Sequence, residues 1–85
     1  VTREQLACIL YNYARYAGYD VSQSAELTGF IDGGSTSDWA VEAMQWAVGS
    51  GLIRGKGNNL LDPTGPATRA EVAAILERLI EGNAK

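Results

Sequence analysis

Apolar residues recur along this chain at helical spacing. Near the C-terminus Val72, Ile75, Leu76, Leu79 and Ile80 fall at i, i+3, i+4, i+7 and i+8, one stripe of an amphipathic helix. The pattern predicts a helix from about Arg69 to Glu81, stopped by Gly82-Asn83. Leu6, Ile9, Leu10, Tyr13 and Ala17 make a comparable stripe near the N-terminus, with Gly18 as the stop. A middle helix is expected from Ser37 or Asp38 to near Gly49. Its apolar surface is wide, with Trp39, Ala40, Ala43, Met44, Trp46, Ala47 and Val48 against a wet stripe of Asp38, Glu42 and Gln45, so it should lie between neighbours. The intervening stretches Asp32-Gly33-Gly34-Ser35-Thr36-Ser37, Gly55-Lys56-Gly57-Asn58-Asn59 and Asp62-Pro63-Thr64-Gly65-Pro66 are turn formers, which leaves room only for short strands. Tyr19 to Gly29 reads as a polar connector with space for one further helical turn. The expected fold class is a small all-α body of three main helices joined by Gly/Pro/Asn-rich loops.

The first and last helices repeat each other. Val1-Thr2-Arg3-Glu4-Gln5-Leu6-Ala7-Cys8-Ile9-Leu10 aligned with Ala67-Thr68-Arg69-Ala70-Glu71-Val72-Ala73-Ala74-Ile75-Leu76 matches Thr, Arg, Ala, Ile and Leu in place. Such repetition points to an array in which each unit covers the apolar face of its neighbour. On this reading the chain holds the end of one unit and the whole of the next. It opens with Val1-Thr2-Arg3 directly at a helix start, as expected of a piece of a longer chain.

Composition narrows the function. With 85 residues the chain is one small domain or part of one, and a body of this size buries only about 60–65% of its unfolded surface. No apolar run approaches the ~20 residues of a membrane span, so no membrane insertion is expected. Seven Lys and Arg against ten Asp and Glu give a net charge of −3, and the basic residues are scattered, which argues against nucleic acid as a partner. An anion bound here must be held by local geometry. Cys8 is the only cysteine; it can form neither an internal disulfide nor a cysteine metal site, and reads as a small packing residue. There is no His, hence no Ser-His or Cys-His pair. The acidic loops lack the ligand spacing of an EF-hand. The expectation is a non-enzyme without cofactor or metal.

The two helix starts carry the candidate chemistry. Thr2 with Gln5, and Thr68 with Glu71, fit the capping box. Arg3 and Arg69 follow at the first helical position, where the helix dipole disfavours a cation by about 0.3–1 kcal/mol. Two compensating partners are open. A carboxylate such as Asp32 or Asp62 could form a structural ion pair. Alternatively, free N–H groups and the planar guanidinium converge on a bound anion such as a carboxylate. Trp39 and Trp46 lie on nearly the same side of their helix, where core packing is the default, yet one of them could offer an indole face to a sugar in a groove. Tyr13 reads as buried, with Tyr11, Tyr16 and Tyr19 available for a wet aromatic surface.

Phe30-Ile31-Asp32, Trp39-Ala40 through Ala43-Met44 to Ala47-Val48, Gly51-Leu52-Ile53-Arg54-Gly55, Asp62-Pro63 and Thr68-Arg69-Ala70-Glu71 occur in the order of the S-layer homology family, which the chain resembles from Phe30 to Ile80. The resemblance divides the chain into the closing half of a preceding motif (1–20), a connector (21–29), one full motif (30–82) and a tail (83–85). It implies tandem motifs, commonly three, that fold into a pseudo-threefold helical body with grooves between them. It implies noncovalent binding of bacterial secondary cell-wall polysaccharide, often pyruvylated, outside the cell. The central arginine role then falls on Arg69 and, for the preceding motif, Arg3. From the residues themselves, Trp39, Asp32 and Gly55 are further candidate ligand-contact positions, and Thr2, Gln5, Thr68 and Glu71 are the caps. The expected partners are that polymer and neighbouring motifs, in the parent chain or in another copy. Gln5, Leu61 and Ala67 depart from the family pattern. The rival function is a structural repeat that only assembles helices.

Overall fold

The computed structural model describes residues 1–54 and 60–83. Its elements are α1 (Arg3–Tyr16), α2 (Val41–Gly49) and α3 (Arg69–Asn83), with 3₁₀ turns at Leu27–Gly29, Gly33–Ser35 and Asp38–Ala40. No strand forms among the described residues; one isolated antiparallel bridge joins Thr2 to Pro66. The fold is all-α, as the apolar spacing predicts.

Local chemistry accounts for the helix ends. Thr2 and Gln5 close a complete capping box on α1, with the Thr2 amide donating to Gln5 Oε1 at 2.8 Å. Thr68 and Glu71 repeat the exchange on α3. The C-terminus of α1 is a Schellman motif: Gly18 takes φ of 80°, and the Gly18 and Tyr19 amides return to the Arg15 and Ala14 carbonyls. Gly51, also at φ 80°, does the same for α2, where the Gly51 and Leu52 amides return to Val48 and Ala47. Both positions need a left-handed backbone, which glycine adopts without a Cβ clash.

The core is continuous from Leu6 and Leu10 of α1 through Met44 and Trp46 of α2 to Leu61, Ile75 and Leu79. The buried side of α1 differs from the expected stripe. Leu6, Ala7, Leu10 and Ala14 face inward, whereas Ile9, Tyr13 and Ala17 are exposed. Small residues at 7 and 14 let α1 lie close against α2, and close packing outweighs the larger apolar area of Ile9 and Tyr13. Tyr13 therefore sits outside, edge-on to Tyr19 with ring centroids 6.0 Å apart. The middle helix opens later than expected, as a 3₁₀ turn over Asp38–Ala40 ahead of α2; the wide apolar face is buried along α2, while Trp39 in that turn is exposed.

The loop after residue 60 docks on the head of α1. The Arg3 amide donates to Gly65 O at 2.9 Å and the Glu4 amide to Pro63 O at 2.8 Å. Asp32 braces that loop from the other side, accepting from the amides of Leu61 and Asp62 at 2.7 and 2.8 Å. Glu4 is buried and accepts from both the amide and the hydroxyl of Ser37, which fixes the entry to α2.

Candidate functional site

The arginines at the two helix starts occupy different surroundings. Arg3 is 4% exposed. Its Nε donates to Leu61 O at 3.0 Å, its Nη2 to Arg54 O at 3.1 Å, and its Nη1 pairs with Glu71 Oε2. The structural partner is thus the capping glutamate of the other helix, and not Asp32 or Asp62 as the ion-pair alternative proposes. Asp32 serves backbone amides instead. The Leu61 amide above all, then that of Asp62, and finally the charge of Arg3, hold its carboxyl below the ordinary value. Nor does the head of α1 offer free N–H groups to an anion, because the amides of Arg3, Glu4 and Gln5 are taken by Gly65, Pro63 and Thr2.

Arg69 is exposed, and its guanidinium has no hydrogen-bond or ion-pair partner among the described residues. It does not reach the hollow beside Arg3. That hollow, of about 400 Å³, is lined by Arg3, Arg54, Glu71 and Arg78 with Leu52, Ile53 and Ile75 among its apolar walls. Arg54 is exposed and Arg78 half-buried; one Arg78 nitrogen donates to Leu52 O at 3.0 Å. Three arginines and a single acidic residue line this one concave surface, an excess of basic residues beside apolar walls that strengthen their field. The arrangement suits a carboxylate-bearing ligand with some apolar surface.

Of the positions expected to touch ligand, the structure brings only Arg3 into this hollow. Trp39 is 62% exposed but lines a different groove. Asp32 is a structural brace, and Gly55 lies outside the described residues. Arg54 and Arg78 were missed as site residues. Glu71, Ala74, Ile75 and Arg78 share helical spacing on α3 and all border the hollow, but the spacing alone does not say which face of α3 meets it. Arg54 stands inside the Gly51-Leu52-Ile53-Arg54-Gly55 run, but only the fold brings it beside Arg3, whose Nη2 donates to its carbonyl.

Residues 29–73 match the S-layer homology domain family, and the chain belongs to it. Over 81 residues, 95% of this chain and 4% of the relative, it is 36% identical to an amylopullulanase of Thermoanaerobacterium thermosulfurigenes. It is 38% identical over 82 residues to the exoglucanase XynX of Acetivibrio thermocellus, covering 95% of this chain and 8% of that protein. A surface-layer 125 kDa protein of Lysinibacillus sphaericus is 30% identical over 84 residues, again 95% of this chain and 7% of the relative. No solved structure gives a significant match. The chain therefore spans a small part of these curated relatives, and the part it spans is a surface-anchoring module of bacterial cell-surface proteins.

Proposed function

We propose that this module anchors its parent protein by holding carboxylate-bearing sugars of a secondary cell-wall polysaccharide, pyruvate ketals among them, in the hollow between Arg3, Arg54 and Arg78. The gathering of three arginines and one acidic residue around a single hollow carries the reading. Glu71 balances Arg3, so Arg54 and Arg78 supply the surplus charge. Each can present a planar fork to a carboxylate, while Arg3, buried and tied at three nitrogens, contributes field and a fixed wall. The module itself performs no catalysis on this reading. The enzymes among its relatives suggest that the parent chain carries a further domain, which the module holds at the wall.

Sedimentation with purified sacculi tests the anchor. The wild type should co-sediment, and should stop doing so once the secondary polymer has been stripped from the sacculi. Arg54→Ala combined with Arg78→Ala should abolish sedimentation with little change in unfolding midpoint; unchanged sedimentation of the double variant would exclude the mechanism.

A second reading, assembly with neighbouring S-layer homology motifs in the parent chain or in another copy, is favoured by the outer face of α3. Ala14 of α1 is fully buried, while its counterpart Ile80 is 60% exposed. Leu10 is buried and its counterpart Leu76 is exposed. In reverse, Ile9 is 59% exposed and its counterpart Ile75 only 4%. Each repeat thus leaves open the face that the other has covered. A following motif would cap Arg69 as Leu61, Arg54 and Glu71 cap Arg3. Attaching such a motif should bury Arg69 and raise the unfolding temperature; a tandem form no more stable than the single chain would exclude this reading.

A further inference from the structure

A second groove lies between α1 and the turn that leads into α2. It shares no lining residue with the arginine hollow and has a volume of about 190 Å³. One wall is Trp39, the most exposed of the large hydrophobic residues on the middle helical segment. Its rim is polar and already ordered. The Tyr11 hydroxyl donates to Glu42 Oε1 at 2.8 Å, and the Arg15 guanidinium rests 5.6 Å from the Tyr11 ring centroid. Asn12 stands beside them.

We propose that this groove is a subsite for a neutral pyranose, with Trp39 as the stacking platform and Asn12, Arg15 and Glu42 hydrogen-bonding the ring substituents. A pyranose has one apolar C–H face and an edge of hydroxyls that both donate and accept. An indole face with a carboxylate, a guanidinium and an amide at its rim complements both surfaces. The chemistry also favours a neutral ring. Arg15 and Glu42 balance each other in this groove, which leaves no surplus charge to hold a sugar carboxylate, whereas the Arg54–Arg78 side of the molecule attracts one. A polymer alternating acidic and neutral sugars could then engage two separate faces of this module. The inference deepens the polysaccharide reading and rests on it for the source of the sugar, but it is carried by different residues.

The two indole N–H resonances separate the outcomes. Titration of the ¹⁵N-labelled chain with N,N′-diacetylchitobiose, and separately with cellobiose, should move the Trp39 indole signal saturably with at least one of them and leave that of buried Trp46 in place. Trp39→Ala should weaken the same disaccharide by about tenfold, the worth of one stacking contact, without altering the helical circular dichroism. The Arg54→Ala/Arg78→Ala double variant should bind it as the wild type does, even if the acidic-polymer reading fails. A Trp39 signal unmoved by both disaccharides, equal movement of Trp39 and Trp46, or loss of binding in the arginine double variant would each overturn the subsite.

Discussion

Arg3 and Arg69 each follow a capping threonine at the head of a helix, and ten residues around each align. One guanidinium is buried against two carbonyls and a carboxylate, while the other stands in solvent. The amides behind Arg3 are satisfied by the Asp62–Pro66 loop, and no described element lies in the equivalent place at α3. The same local sequence therefore yields a structural arginine or an open one according to what packs on it. Glu71 belongs to both settings, since it closes the capping box of α3 and neutralises Arg3.

The largest expected effect comes from separating the two arginines. Arg3→Ala should cost about 3–5 kcal/mol in urea unfolding, because two carbonyls lose their donors and Glu71 loses the guanidinium it faces, whereas Arg69→Ala should stay within about 0.5 kcal/mol. Equal losses would mean that the two starts are not differently packed. Leu10→Ala should follow at about 2–5 kcal/mol for a filled core position, against about 1 kcal/mol or less for Leu76→Ala on the open face of α3. In a tandem form with a following motif, the Leu76 cost should rise toward that of Leu10.

The caps supply the converse. Thr2→Ala and Thr68→Ala should each cost about 1 kcal/mol, because the box is a local exchange that does not depend on what packs above it. A clear inequality, measured by chemical denaturation, would show that the docked loop strengthens the cap of α1. The smallest effect is acid dependence at the Asp32 brace. Its carboxyl titrates below its ordinary value in the fold, so its stabilisation is complete above the unfolded value of about 3.9. That contribution is lost as pH falls through the depressed native value. Asp32→Asn should remove this share of the acid sensitivity, read from the urea midpoint at neutral and acidic pH.

Some features are written in short stretches of chain. The capping boxes at Thr2 and Thr68, the left-handed stop at Gly18, the three helices and the family were all legible, because each depends on residues within one turn or on an ordered motif. The middle helix was expected to stop at Gly49; it does so with Gly51 as the left-handed residue, a shift that hydrogen bonding of the last turn decides. Which side of α1 faces inward was not legible. Apolar spacing favoured Ile9 and Tyr13, whereas the neighbouring α2 selected Ala7 and Ala14 for their small size.

The arginine hollow belongs wholly to the second kind. Arg3, Arg54 and Arg78 are far apart in sequence and share no period, so only the docking of the 60–66 loop and of α3 could unite them. The exposure of Trp39 beside a buried Trp46 was likewise decided by packing, since both indoles stand on one apolar surface in the sequence. What the chain determined by itself was the set of helices, the capped heads of α1 and α3 and the repeated arginines, whereas α2 opens only at Val41 after a 3₁₀ turn and α3 runs on through Gly82 to Asn83. Tertiary structure decided which guanidinium is buried and which charges converge, because burial and Coulomb attraction depend on distance in space, and periodicity fixes distance only within one helix.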